Sequence, residues 1–401
     1  MTSPTARTVA VKRRPAARLG RADRSALGLW FWEIDRVLLL LVTILISIGL
    51  IAVAAAAPAA AARYSGGDIV ISPLTYFWKQ LFWVALGLPV MIGISMLPTQ
   101  VARRFAIGGA AFFSIMLAAV PLIGIEKNGA MRWIGVGIGQ FQPSEFLKPL
   151  FVVAVAWILS LQAQDRALPV KMITGALTAI IAGLLMMQPD FGQTIIFGSV
   201  WLALLMISGL SMRIMAYLAG AGSAGIVAAY FLYPVATTRI NNFLFATGDT
   251  YQVDQAHATI TAGGLFGTGP GGGERKFHLP EAHTDYIFSV IGEEFGLIAC
   301  IMIAALFLAI IVRVFVKLLD EEDPFLVLAS AGLVTEFTLQ AFINIAVNVG
   351  IAPSKGMTLP FISYGGSSMI ALSIGFGLLL AFTRRNPYLK RSPYVVKWSS
   401  R

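Results

Sequence analysis

Ten stretches of roughly 20 mostly apolar residues recur along the 401-residue chain, at about 37–57, 75–96, 105–125, 144–161, 171–187, 191–209, 212–233, 286–316, 325–352 and 367–383. No other feature constrains the fold as much, because a helix of about this length spans the hydrocarbon core of a bilayer. The chain reads as an all-α polytopic membrane protein with ten transmembrane helices. Its composition agrees: 57% of residues are hydrophobic and 12% charged, against roughly 45–50% and 25% in soluble domains. A soluble multidomain protein and a disordered chain are both poor fits. The single cysteine, Cys300, lies in an apolar run, so no disulfide and no cysteine-based metal site forms within one chain.

The net charge of +10 reads as topology rather than as a nucleic-acid footprint. With the N-terminus inside, basic residues on inside segments outnumber those on outside segments by about three to one. Both termini are then cytoplasmic: a basic tail at 1–36, with 1–30 read as disordered, a ten-helix membrane domain at 37–383, and a second basic tail at 384–401. Such a collar also suits anionic lipid. Ala-x-Ala sites follow the first span. The long polar segment before it and its length nevertheless mark a retained signal anchor rather than a cleaved signal. No internal repeat of the kind that builds many transporters is visible.

The large extracytoplasmic loop lies between helices 7 and 8, at about 234–285, and its aromatic and aliphatic residues predict that it folds against the membrane. Ionisable residues in spans are costly and usually functional. Glu145 and Lys148 share a helix face, as a structural ion pair or as part of a site. Asp285 opens span eight with Glu293 and Glu294 deeper, and Glu336, Gln340, Asn344 and Asn348 make one stripe in span nine. The stripe reads either as interhelical glue or as the wall of an outward-facing polar cavity. Asp285 reads either as a helix N-cap or as a functional carboxylate. Gly263–Gly273 follows no Walker pattern and reads as a flexible surface loop. The segment 361–368, Phe-Ile-Ser-Tyr-Gly-Gly-Ser-Ser, precedes the last span. It reads as an anion seat at a helix N-terminus, with Ser367, Ser368 and nearby Lys355, or as a plain Ser cap. His278, Glu281, His283 and Asp285 match no zinc spacing; a weakly held Mg²⁺ or Mn²⁺ bridging Asp285 and a phosphate is the one metal they could take. The segment 128–143 alternates like a short outer hairpin.

These residues carry a resemblance. Asn128–Ile134, Gln142-Pro143-Ser144-Glu145 with Lys148, Leu279–Phe288, Gly292-Glu293-Glu294-Phe295-Gly296 and Leu359–Ser368 resemble, in order and over most of the chain, the SEDS family of FtsW, RodA and SpoVE. Ala282 and Lys355 lean toward the FtsW branch. The chain departs from the family pattern at 243–249, which lacks the usual Asp-Pro, and in the glycine-rich 270–277. Roles for Arg239, Gln252 and Gln255 are therefore not carried over.

The resemblance implies a ten-span peptidoglycan glycosyltransferase of the bacterial cytoplasmic membrane. Such an enzyme polymerises lipid II on the outer face beside a class B (FtsI-like) penicillin-binding protein and other divisome proteins at the septum. It implies Asp285 as the essential acidic residue, the candidate catalytic base, and Glu145–Lys148 as the family's ion pair. Arg132, Lys355, Ser367, Ser368 and His283 become substrate-binding candidates. A lipid II flippase and an elongation-type polymerase are the competing expectations.

Overall fold

The structure is a computed structural model that describes residues 25–66, 70–127, 130–245, 251–353 and 356–384. Lys355, Asn128-Gly129 and most of both tails lie outside the described residues.

Helices stand at all ten apolar runs: α2 (Arg36–Tyr64), α3 (Thr75–Ser95), α4 (Thr99–Ile123), α5 (Pro143–Ser160), α6 (Val170–Met187), α7 (Phe191–Ile207), α8 (Met212–Leu232), α11 (Ile287–Leu318), α12 (Pro324–Asn348) and α13 (Gly366–Phe382). Eight of them are long and apolar enough to cross a membrane, while α7 and α13 are shorter apolar helices of 17 residues. Between them come α1 (Ala26–Glu33), a hairpin of β1 (Ile125–Lys127) and β2 (Ala130–Trp133), and two loop helices, α9 (Pro234–Phe245) and α10 (Tyr251–Ala262). An isolated Ile134–Phe141 bridge follows the hairpin, so strand pairing is present in the expected 128–143 stretch but the hairpin itself starts earlier, at Ile125.

Helix α1 corrects the expectation of disorder through residue 30. Ser25 caps it, and the Trp30 indole donates to the buried Ser95 hydroxyl at 2.8 Å. Asp35 then caps α2, accepting from the Val37 and Leu38 amides. It also pairs with Arg313 and Lys317 of α11, each at 2.9 Å. Burial alone would raise this carboxyl; the two cations and the cap amides hold it below the ordinary carboxylate range.

Helices α5, α12 and α13 are buried nearly all round and form the centre, with α3, α4, α7 and α11 packed about them. Helix α8, by contrast, buries no residue against the bundle.

Helix α11 breaks at Gly296, whose φ of 80° and ψ of 178° are non-helical. The break would orphan the carbonyls of Glu293 and Glu294 and the amides of Leu297 and Ile298. In lipid each such group costs several kcal/mol. The glycine-rich loop repairs all four. Thr268 and Gly269 amides donate to the Glu293 and Glu294 carbonyls at 2.8 and 3.0 Å. Leu297 and Ile298 amides donate to the Gly264 and Leu265 carbonyls at 2.9 and 3.3 Å. Gly263–Gly273 is therefore a fitted insert, not the flexible surface loop its composition suggested.

Glu293 and Glu294 are likewise anchors rather than cavity walls. Glu293 accepts from the Arg275 and Lys276 amides at 2.7 and 3.0 Å. Glu294 accepts from the Gly271 amide and pairs with the fully buried Lys276 ammonium, which also donates to the Ala55 carbonyl of α2.

Gly267 has φ +82°, and a Cβ there would collide with the Glu294 carbonyl. Gly271 has φ +80° but open space around it. Gly267→Ala is expected to destabilise by about 3 kcal/mol or more, from strain and overpacking together. Gly271→Ala should cost only about 1 kcal/mol of strain. Thermal unfolding of the detergent-purified proteins checks the pair, and equal losses would contradict the fitted insert.

Candidate functional site

Asp285 lies two residues before α11, half-buried, and its backbone is gripped from α12. The Asn344 and Asn348 side-chain amides both donate to the Asp285 carbonyl, at 2.9 and 3.0 Å. The Asn348 oxygen in turn accepts from the Ser289 amide and hydroxyl, at 3.0 and 2.9 Å. The sequence left open that Asp285 caps this helix. No side chain at the N-cap position, Tyr286, bonds the first turn, and Asn348 satisfies Ser289 from another helix instead. Asn348 of α12 thus serves the first turn of α11 at Ser289.

The loop before α13 closes the other side. The Ser363 hydroxyl donates to the Thr284 carbonyl at 2.6 Å and accepts from the Leu359 amide at 2.8 Å. The Tyr364 amide donates to the His283 carbonyl at 2.9 Å. Gln80, wholly buried on α3, bonds the Ser363 carbonyl and the Gly365 amide. Gly356 lies beside the carboxylate: a Cβ there would sit 3.4 Å from Asp285 Oδ2. Gly356 thus borders Asp285; Lys355, the substrate-binding candidate before it in sequence, lies outside the described residues.

A buried polar chain runs through the bundle to this loop. Arg132 donates to the Gln188 and Pro189 carbonyls and approaches Asp190 at 3.9 Å. Asp190 caps α7 through the Gln193 amide, and the Gln193 side chain donates to Glu145 at 2.6 Å. Glu145 and Lys148 pair at 3.0 Å. Lys148 donates to Gln340 at 2.6 Å, and Gln340 donates to the Thr358 carbonyl at 3.0 Å. Asn344 adds a bond to the Met357 carbonyl at 2.6 Å. Gln340, Asn344 and Asn348 of the stripe therefore work as glue that fixes backbone, whereas Glu336 borders a small enclosed space. That space, lined by Glu145, Lys148 and Glu336 among others, measures about 10 Å³, room for roughly one water.

One expectation at the last span changes. Ser367 and Ser368 are both buried, and the Ser368 hydroxyl lies 3.3 Å from Glu145 Oε2 and 3.3 Å from the Thr358 hydroxyl. Ser368 is thus occupied inside the bundle rather than facing out as an anion seat. His278, Glu281, His283 and Asp285 bear on a metal only through Asp285, since the ion considered for them is one shared with a substrate phosphate and not one held in a protein cage. Glu281 accepts from Tyr64 and Thr284, each at 2.7 Å. Among the described residues no three His, Cys, Asp or Glu side chains are placed to hold an ion.

A family profile described as "Cell cycle protein", covering FtsW, RodA and SpoVE, matches residues 35–388. The chain belongs to the FtsW/RodA/SpoVE family. It is 39% identical over 373 residues to the probable peptidoglycan glycosyltransferase FtsW of Caulobacter vibrioides, covering 92% of this chain and 93% of that one. It is 33% identical over 331 residues to the protein of the same name in Coxiella burnetii, covering 78% and 88%. Among solved structures it resembles a chain of a peptidoglycan synthase complex that coordinates polymerization and crosslinking. That match has a TM-score of 0.71 and 27% identity, and covers 87% of this chain and 97% of the other. The rod shape determining protein RodA of Thermus thermophilus matches with a TM-score of 0.65 and 26% identity, covering 87% and 96%.

In this family member the motifs read from the sequence converge. Residues 283–285, 340–348 and 356–364 meet around one carboxylate, and Arg132 and Glu145–Lys148 join them through Gln193 and Gln340. Gln80 and Gln193 were not singled out in the sequence. Each is a polar residue inside an apolar run, the signal that would have found it.

Asn348→Ala removes bonds to both Asp285 and Ser289. It is expected to lower the turnover of the family's reaction by about 10–100-fold through misplacement of the carboxylate. A glycan-strand assay that shows unchanged turnover in a folded Asn348→Ala protein would refute this positioning role.

Proposed function

We propose that this protein is a peptidoglycan glycosyltransferase that polymerises lipid II into β-1,4 glycan strands at the outer face of the bacterial cytoplasmic membrane. The observation that carries the reading is the half-buried Asp285 carboxylate, held by its own backbone from α12 and bordered by Gly356. The names of the relatives from Caulobacter vibrioides and Coxiella burnetii support the activity.

In the proposed step, the 4-hydroxyl of one lipid-linked disaccharide's GlcNAc attacks the MurNAc anomeric carbon of another lipid-linked chain. Asp285 takes the hydroxyl proton as general base. The anomeric C–O bond breaks, and undecaprenyl pyrophosphate leaves with its electrons. One displacement inverts the α-linked donor to a β bond, which needs a single base and no covalent intermediate. Lys355, one residue before Gly356 in the sequence, is the cation assigned to offset pyrophosphate charge. Arg132 spends two of its five donors on the turn before α7 and supports the site through the buried polar chain.

The similarity to a chain of a synthase complex that couples polymerization and crosslinking supports a class B penicillin-binding protein as partner. The likeness to proteins named FtsW supports work at the division septum. The distribution of basic residues supports cytoplasmic termini.

The test is polymerisation of labelled lipid II by the purified protein with a class B partner. Wild type should make strands, and Asp285→Ala and Asp285→Asn should lose at least about 10²–10⁴-fold, the usual contribution of a general base, while keeping their melting temperature. Strand synthesis at near-normal rate by Asp285→Ala removes the base assignment. No strands from wild type, with lipid II crossing liposome bilayers, would instead identify a flippase.

A further inference from the structure

His283 stands at the centre of a ring of phenols. Its imidazole centroid lies 4.4 Å from Tyr76, 5.3 Å from Tyr364 and 6.2 Å from Tyr64. Tyr76 meets Tyr364 edge-on at 5.4 Å. These rings come from the end of α2, the start of α3 and the loop before α13, so only the fold assembles them. His283 is buried, yet its Nδ1 has no hydrogen-bond partner among the described residues. A buried unpaired nitrogen of this kind costs about 1–3 kcal/mol and calls for an explanation. Tyr64 is 45% exposed, and Tyr76 and Tyr364 are half-buried, so the group opens outward. Asp285 is two residues along the chain.

We propose that Tyr64, Tyr76, His283 and Tyr364 form a saccharide subsite that holds the uncharged N-acetylhexosamine whose hydroxyl Asp285 deprotonates. The proposal rests on the polymerase reading above and adds which part of the substrate lies where. Aromatic faces with a few fixed polar atoms suit a sugar, whose ring presents C–H faces and a rim of hydroxyls. A hydroxyl both donates and accepts, so it satisfies an imidazole nitrogen in either tautomer, whereas a pyrophosphate oxygen only accepts.

Charge supports the same choice. Burial pushes the His283 imidazole down to about 4, against the pull of Glu281, so the ring is neutral at pH 7. Burial likewise pushes the Tyr364 phenol up to about 12, which keeps it a proton donor. Glu281 and Lys79 flank the group with opposite signs; Lys79 stands 5.5 Å over the Tyr76 ring. A neutral aromatic box thus suits the sugar rather than the pyrophosphate.

The test uses the full-length protein with its class B partner, as wild type, Tyr76→Ala and Tyr76→Phe. Saturation-transfer NMR with N-acetylglucosamine reads sugar binding without turnover, and strand synthesis at varied lipid II gives KM and kcat. Inhibition by undecaprenyl pyrophosphate reads the other side of the site. Wild type and Tyr76→Phe should transfer saturation to the sugar, and Tyr76→Ala should not. Tyr76→Ala should raise KM about tenfold, the effect of roughly one lost stacking contact, with kcat within about threefold and inhibition by undecaprenyl pyrophosphate unchanged. The proposal is overturned by no sugar signal from wild type, by an unchanged signal and KM in Tyr76→Ala, or by parallel loss of sugar binding and undecaprenyl pyrophosphate inhibition. Sugar binding that depends on Tyr76, with no strands from wild type, would leave the subsite standing and remove the polymerase reading instead.

Discussion

A chain that lies in hydrocarbon has no water to accept its backbone polar groups, and α11 shows how a helix break is tolerated there. The interruption at Gly296 leaves two carbonyls and two amides without helical partners, and the 263–273 loop supplies all four. The rest of the site depends on that repair. The loop can enter because glycines at 263, 267 and 296 leave room for backbone against backbone. Glu293 and Glu294 then catch the amides at 271, 275 and 276, and the chain is delivered to residues 279–286 in one arrangement. Asp285 is thus placed by a structure whose main job is to satisfy the backbone.

The polar residues of α12 obey the same rule. Asn344 and Asn348 act on carbonyls that do not belong to their own helix, and Gln340 does the same at Thr358. Side-chain amides suit this because each offers both donors and an acceptor. The buried ion pair of Glu145 and Lys148 takes part as well, since Lys148 divides its donors between a carboxylate and Gln340. A buried pair is weak evidence for stability, and breaking one partner is strongly destabilising. Its service here is geometric: it links the turn held by Arg132 to the loop that flanks the carboxylate. At the opposite end of the bundle, Asp35 joins α2 to α11 through Arg313 and Lys317.

Much of the site is legible in the sequence, and the misleading signals have a common cause. Asp285, Glu145, Lys148 and the α12 stripe stand out because polar residues inside apolar runs are rare. Ser368 misleads because a Gly-Gly-Ser-Ser segment before a helix looks like an anion seat, whereas tertiary packing turns its hydroxyl toward Glu145. The glycine-rich loop misleads because glycine signals freedom when nothing packs on it and close approach when something does. The aromatic group around His283 is invisible because its rings lie at positions 64, 76, 283 and 364, with no spacing that links them.

The sequence by itself determined that the chain lives in a membrane, where its helices lie, and which few polar residues it can bear to bury. Those are consequences of length and hydropathy, which act locally and need no partner. Only the tertiary structure decided which polar residues meet and which serve one another rather than a substrate. It also decided that one histidine nitrogen, two residues along the chain from Asp285, has no partner among the described residues. Such facts depend on hydrogen-bond geometry between segments far apart in sequence, set when the helices pack and every buried donor must choose one acceptor.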